Sequence, residues 1–197
     1  ICSGAPAGSR QTYAPFSSRV PAGPSLSRDE AVVELARRYF TSHAPATLRD
    51  FRWSSGLSAA DARRALAALP DLQPVRVGDL ELLAWRDDED ETASGPRAHL
   101  LQPFDELVVA YTESRHVVDT KGLLREKKAD GLLSRTVLVD GQVAGRWRRD
   151  VGRAGIEVSI ALAVRSTRRI VADIEEAAGR YAAFVERPLA SFTVAPR

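Results

Sequence analysis

Arginine and lysine side chains that could bind a polyanion lie in two parts of the chain. The first group, Arg63 and Arg64, lies on a predicted helix. The second group lies before a predicted hairpin and at its end, and consists of Lys127, Lys128, Arg146, Arg148 and Arg149. A guanidinium group can bind phosphate oxygens or the edge of guanine, and an ammonium group binds phosphate as a compact charge. We therefore treat these residues as candidate contacts to double-stranded DNA. The alternative is that they are solvated charges at helix and strand ends.

An aromatic residue, Trp147, lies within the second basic group. A basic loop that includes an aromatic ring can hold a phosphate backbone while the ring stacks on a base. Trp147 could equally be a core residue between solubilising arginines. The sequence leaves both interpretations open.

Other kinds of chemistry find less support. Asp105 and Glu106 are adjacent, and adjacent residues of a strand point to opposite faces, so we expect a structural ion pair with an arginine and no catalytic pair. The three histidines lack the spacing of metal ligands and the chain has a single cysteine, so we expect no metal site. The sequence has no glycine-rich phosphate loop and no Gly-x-Ser-x-Gly elbow, and we expect no cofactor.

Three helix-start signatures surround the first basic pair. In each, a hydroxyl residue is followed three places later by an acid, which is the pattern of a capping box: Ser27 with Glu30, Thr47 with Asp50, and Ser58 with Asp61. Each opens an amphipathic run, so the sequence predicts helices at about 28–41, 48–55 and 59–69. The predicted buried stripe of the first helix is Val32, Leu35, Ala36, Tyr39 and Phe40.

A hairpin is predicted directly after these helices. Val75–Val77 and Leu80–Trp85 flank the turn Gly78-Asp79. Three helices and a hairpin are the outline of a winged helix-turn-helix, whose third helix carries Arg63 and Arg64 as the recognition helix. Acidic side chains at the hairpin tip would repel phosphate, so the unit could instead be a protein-interaction scaffold.

The C-terminal half is predicted to be rich in strands. Asp140-Gly141 is a two-residue hairpin signal between Thr136–Val139 and Val143–Trp147, and residues 156–162 alternate as a half-buried strand. A helix is predicted over 167–186. The predicted fold class is therefore α+β: a winged helix-turn-helix followed by a small antiparallel β-barrel-like unit and a C-terminal helix.

Composition limits the class and the compartment. The net charge is +2, so a binding face for DNA must come from the placement of charges. The single cysteine fits the reducing cytoplasm, and no apolar stretch approaches the ~20 residues of a membrane helix. We therefore expect a cytoplasmic protein with no membrane partner.

The beginning of the sequence predicts that the chain is a piece of a longer protein. It starts at Ile1 and contains no methionine. We expect three parts: a hairpin and linker from a preceding domain at 1–24, the winged helix at 25–92, and the β-rich unit at 97–197. An acidic run at 87–91 lies beside the last boundary.

Four passages, taken in order, resemble a known family. They are Gln11-Thr12-Tyr13 with Arg19-Val20-Pro21; the run from Ala31 to Leu69; Leu100-Leu101 with Pro103-Phe104-Asp105-Glu106; and Val137 to Gly141 with Gly145 to Trp147. On these passages the chain resembles the C-terminal portion of the bacterial tandem winged-helix proteins that include the alkylpurine and interstrand-crosslink DNA glycosylases. The resemblance implies successive winged helices, a small barrel-like unit and duplex DNA as the partner.

The same resemblance bears on catalysis. In the glycosylase members a Gln-x-Gln or Gln-x-Asp motif positions the water that cleaves the N-glycosidic bond. None of the glutamines here has that spacing, so no catalytic residue is assigned and enzymatic activity is left open. The predicted function is a winged-helix DNA-binding protein related to glycosylases that excise alkylated or crosslinked bases. The alternatives are a non-catalytic transcriptional regulator and a protein-interaction scaffold.

Overall fold

A computed structural model describes residues 1–8, 10–23, 25–86, 95–124 and 135–195. The N-terminal half contains a short hairpin, four helices and a second hairpin: β1 (Cys2–Ser3), β2 (Tyr13–Ala14), α1 (Phe16–Arg19), α2 (Arg28–His43), α3 (Leu48–Ser55), α4 (Ala59–Ala67), β3 (Leu72–Val77) and β4 (Leu80–Trp85). The C-terminal half contains β5 (Ala98–Leu101), α5 (Glu106–Val109), α6 (Arg115–Val118), β6 (Thr136–Val139), β7 (Gln142–Gly152), β8 (Gly155–Leu162), α7 (Arg168–Phe184) and β9 (Leu189–Ala195).

The three predicted helix starts are present as N-caps. Ser27, Thr47 and Ser58 each accept a hydrogen bond from the backbone N–H three residues later. The first two capping boxes are complete, because the acid three residues on also accepts from the N-cap N–H. Gly56 ends α3 with φ of 69°, a left-handed conformation that glycine adopts without a Cβ clash.

A first core joins α2, α3, α4 and the start of β3. Its largest fully buried side chains are Phe40 and Phe51, whose ring centroids lie 5.6 Å apart. The buried stripe of α2 is the predicted one except for Leu35, which is 43% exposed. The hairpin β3–β4 follows with Val77 opposite Leu80, as the turn Gly78-Asp79 predicts.

The C-terminal half forms one five-stranded sheet in the order β5-β6-β7-β8-β9. The first four strands pair antiparallel, and β9 pairs parallel to β8 after the crossover helix α7. Asp140 and Gly141 both have positive φ, as the predicted two-residue turn requires. The second core lies between this sheet and α7, around Trp147, Ile160 and Ile174.

The barrel-like prediction is wrong in two respects. Within the ranges given above, β5 and β9 are opposite edges, so the sheet is open. The strand β9 was not predicted at all, although Phe192 and Val194 lie at the alternating spacing of a strand. Parallel pairing after a helix depends on residues far apart in sequence, which local patterning does not specify.

Two glycines allow the close approaches in this sheet. Gly155 has φ of 135°, and a Cβ there would lie 2.2 Å from the Pro188 carbonyl oxygen. That oxygen accepts from Ile156 N at 2.8 Å, which anchors the start of β9. A Cβ at Gly145 would lie 2.3 Å from the Ala161 carbonyl oxygen, across the β7–β8 pair.

At the N-terminus, β1 and β2 form the predicted hairpin, with Cys2 opposite Ala14. Phe16 begins the single turn α1 directly after the hairpin. Pro15 precedes this turn and its carbonyl oxygen accepts from Ser18 N at 3.1 Å. The chain therefore turns away from the hairpin at Pro15.

Candidate nucleic-acid interface

Arg63 and Arg64 both lie on the exposed side of α4, but their charges have different surroundings. Arg64 Nη2 contacts Asp61 at 2.7 Å and Asp29 at 3.1 Å. Arg63 has no carboxylate partner within the part of the chain that the structure describes. The positive charge of this face therefore comes mainly from Arg63.

Asp61 explains why the third capping box is incomplete. Its carboxylate accepts two hydrogen bonds from Arg28, at 2.8 and 3.2 Å, and one from Arg64. The Arg28 hydrogen bonds, together with the Ser58 hydroxyl, hold the pKa of Asp61 well below its usual range. Asp61 thus ties the first turn of α2 to α4 instead of reaching back to the Ser58 N–H.

The hairpin β3–β4 presents acids at its exposed tip. Asp79 lies in the turn and Glu81 lies opposite Arg76 across the strands, and all three are exposed. Opposite charges at directly paired positions attract each other. Asp79 is therefore the tip charge that acts most directly against a phosphate backbone.

The second basic group is divided between the two faces of the sheet. Arg149 points towards α7, where its guanidinium lies 5.4 Å from the ring centroid of Tyr181. Because successive strand residues alternate, Arg146 and Arg148 point to the other face. There Arg148 is exposed, and Arg146 Nη2 donates to the Leu123 carbonyl oxygen at 3.5 Å. The sequence grouping therefore does not correspond to one surface. Lys127 and Lys128, the remaining candidates, lie outside the described residues, as does the acidic run 87–91.

Trp147 is a core residue. It is 2% exposed, its Nε1–H donates to the Leu101 carbonyl oxygen at 2.8 Å, and its ring lies edge-on to Tyr181 with centroids 5.0 Å apart. This is the less specific of the two interpretations that the sequence left open. It excludes Trp147 as a stacking surface for a base.

Among the described residues, neither Asp105 nor Glu106 forms an ion pair with an arginine. Asp105 is the N-cap of α5 and accepts from Leu107 N at 3.1 Å. Glu106 lies 3.1 Å from His43 Nε2. The segment was predicted as strand-like, and helix capping by Asp105 is the reason that this prediction is wrong.

The outer face of α3 carries basic and aromatic residues that were not selected from the sequence. Arg49, Arg52 and Trp53 are exposed, and Trp53 is 59% accessible to solvent. Trp53 Nε1 donates to the Val109 carbonyl oxygen at 2.8 Å, so the ring has a fixed position. The spacing i, i+3, i+4 puts these three residues on one face of the helix, and that spacing was visible in the sequence.

Two general findings concern other kinds of site. No helix among the described residues is long and apolar enough to cross a membrane. Nor do the described residues bring together three or more His, Cys, Asp or Glu side chains in an arrangement suited to a metal ion.

Comparison with known proteins gives one family and one solved structure. A family model described as DNA glycosylase AlkZ-like matches residues 1–184. The structure of Streptomyces sahachiroi DNA glycosylase AlkZ is similar with a TM-score of 0.76 and 23% sequence identity, over 98% of this chain and 53% of that chain. The chain thus spans about half the length of that protein, and the likeness concerns the fold. No curated protein sequence matches significantly. Because the family match covers most of the chain, this chain belongs to the AlkZ-like DNA glycosylase family.

Proposed function

We propose that this chain binds duplex DNA through a winged helix-turn-helix, as the DNA-holding part of a protein related to glycosylases that excise alkylated or crosslinked bases. The observation that carries the proposal is membership of a DNA glycosylase family. The sequence contains no Gln-x-Gln or Gln-x-Asp motif, so we assign no base excision to its residues.

The order and packing of α2, α3, α4 and the β3–β4 hairpin support the winged-helix interpretation. α3 and α4 are joined by Gly56, Leu57 and Ser58, the short turn expected between the two helices of a helix-turn-helix. In that motif the second helix enters the major groove. Here that helix is α4, and Arg63 is its exposed arginine without a carboxylate partner among the described residues.

The charges indicate how the candidate contacts should differ. Arg63 and Arg148 are exposed and have no carboxylate partner in the described ranges, so both can neutralise a phosphate. Arg64 already interacts with two carboxylates, which lowers the gain from a further anion. Arg149 points to the opposite face of the sheet from Arg148. We therefore expect Arg63 and Arg148 to contribute most.

The test is duplex binding at several salt concentrations. Removing one arginine that neutralises a phosphate should reduce the slope of log K against log salt by about one. We expect Arg63→Gln and Arg148→Gln each to do this, and Arg64→Gln to have a smaller effect although it removes the same charge from the same helix. Wild-type binding that does not change between low and moderate salt would contradict the proposal.

One observation favours a different function. The ion pairs of Arg64 and the acidic hairpin tip both weaken the positive potential of this face, which suits a protein-interaction scaffold. Reversing the charges of Arg63 and Arg64 to glutamate, with DNA binding and activity unchanged, would favour the scaffold. Selection of one preferred sequence from random DNA would instead favour a non-catalytic transcriptional regulator.

A further inference from the structure

A cleft of about 510 Å³ lies between α7 and strands β5 and β7. Its volume is within the range of roughly 300–1,000 Å³ that is typical of small-molecule sites. Leu100 of β5 and Ala177 of α7 give it an apolar floor. It lies on the helix-covered face of the sheet, away from Arg148.

Cationic side chains from separate elements meet in this cleft. Arg149 lies over the ring of Tyr181 and has no ion pair or side-chain hydrogen bond to any residue that the structure describes. Arg180 is held in place, since Nη2 donates to the Ala98 carbonyl oxygen and Nη1 to Glu176, both at 2.8 Å. One uncompensated guanidinium beside a fixed one favours an anionic ligand.

The rest of the lining favours a ligand with a flat apolar part. Phe184 borders the cleft and is 84% exposed, which leaves its ring free to contact a bound molecule. A phenylalanine ring can stack on any nucleobase, because every base has a flat aromatic face. Arg149 and Phe184 therefore offer complementary groups, one for an anion and one for a planar ring.

We propose that this cleft binds a nucleotide, with its phosphate at Arg149 and its base against Phe184. The same chemistry is present in a free mononucleotide and in the 5′-phosphorylated end of a DNA strand. The proposal does not depend on binding of duplex DNA, because a different face of the sheet and different residues are involved.

The test is calorimetric titration of the full chain with deoxyadenosine monophosphate and with a short single strand bearing either a 5′-phosphate or a 5′-hydroxyl. We expect saturable binding of at least one phosphorylated ligand, and binding at least tenfold weaker in Arg149→Gln, because glutamine cannot donate a charge-assisted hydrogen bond to the phosphate. Phe184→Ala should also weaken binding. The matched control is Arg168→Gln, which removes the same charge from an exposed position at the start of α7 outside the cleft and should leave this binding unchanged.

The outcomes separate the sources and the two proposals. Equal affinity for the monophosphate and the 5′-phosphorylated strand supports a free nucleotide, and binding of the phosphorylated strand alone supports a strand end. No saturable binding of either phosphorylated ligand, or equal weakening by Arg168→Gln and Arg149→Gln, overturns the inference. Weaker duplex binding in Arg148→Gln, with binding of deoxyadenosine monophosphate intact, would support both proposals, because the duplex assay tests one and the monophosphate titration tests the other.

Discussion

At the scale of single residues, Asp50 connects distant parts of the chain. It is fully buried and is the acid of the second capping box. Its carboxylate also accepts from Thr112 N and Glu113 N, both at 2.7 Å, and from the Ser114 hydroxyl at 2.7 Å. One side chain therefore starts α3 and holds a segment more than sixty residues away.

Asp50→Asn should destabilise the protein by on the order of 3 kcal/mol, because it replaces an acceptor of several buried donors by a group that is itself partly a donor. The measurement is the urea midpoint and slope at neutral pH. Glu30→Gln is the matched control, since Glu30 has the same position in the first capping box but is exposed. Similar destabilisation in the two variants would show that burial of Asp50 has no special effect.

Asp50 should also contribute a pH dependence of stability. Burial raises the pKa of Asp50, but hydrogen bonds from Ser114 and from the backbone at Glu113 and Thr112 outweigh burial and leave the pKa below its usual value. The contribution is therefore complete above the unfolded-state pKa of about 3.9 and is lost as the pH falls through the lower folded-state pKa. The difference in unfolding free energy between wild type and Asp50→Asn should shrink between pH 7 and pH 3. A difference that stays constant would contradict this assignment.

At the scale of elements, the β3–β4 hairpin is the element that can distinguish the proposed DNA-binding function from the proposed scaffold function. Its turn and second strand are the predicted ones, and its first strand begins at Leu72, three residues before the predicted start. Its charge, by contrast, opposes contact with phosphate. If the hairpin approaches DNA, Asp79 is the nearest unfavourable charge, because Glu81 lies opposite Arg76.

Asp79→Asn should therefore strengthen duplex binding at low salt by a few-fold, and the gain should disappear at high salt as screening increases. Glu175→Gln is the control, since Glu175 is an exposed acid on α7 and its replacement changes the net charge equally. Equal gains in the two variants would indicate a general charge effect and would place the hairpin away from DNA.

At the scale of the whole molecule, residues 98–124 connect the helical half to the sheet. On the helical side, Trp53 donates to the Val109 carbonyl oxygen and the Tyr111 hydroxyl donates to the His43 carbonyl oxygen at 3.1 Å. On the sheet side, Gln142 Nε2 donates to the Val117 carbonyl oxygen at 2.8 Å. The domain boundary at residues 92–97 remains a prediction. The hydrogen bonds described above join the segment that follows this boundary to both halves of the chain.

We expect the two halves to unfold together. Urea transitions followed by tryptophan fluorescence and by far-ultraviolet circular dichroism should coincide, because Trp53 and Trp85 report on the helical half and Trp147 on the sheet, while circular dichroism reports on both. Trp85 still reports on the helical half when Trp53 is replaced. The double variant Trp53→Phe with Tyr111→Phe removes two of the connecting hydrogen bonds and should separate the transitions. Two separate transitions in the wild type would show that residues 98–124 do not couple the halves.

The sequence by itself determined the elements whose signals are local. The caps Ser27, Thr47 and Ser58, the turn at Gly78-Asp79 and the turn at Asp140-Gly141 depend on residues within a few positions of one another, so their hydrogen bonds and dihedral angles follow from the local sequence. The family resemblance, which rests on ordered passages of the same kind, also agrees with the comparisons.

Only the tertiary structure decided which side chains share a surface. It paired Arg64 with acids from two helices, placed Arg149 and Arg148 on opposite faces, buried Trp147 and added β9 as a parallel edge strand. Each of these outcomes depends on contacts between residues far apart in sequence, and their free energies come from burial and charge pairing that no short window contains. The proposed DNA contacts and the nucleotide cleft are therefore inferences from the assembled structure.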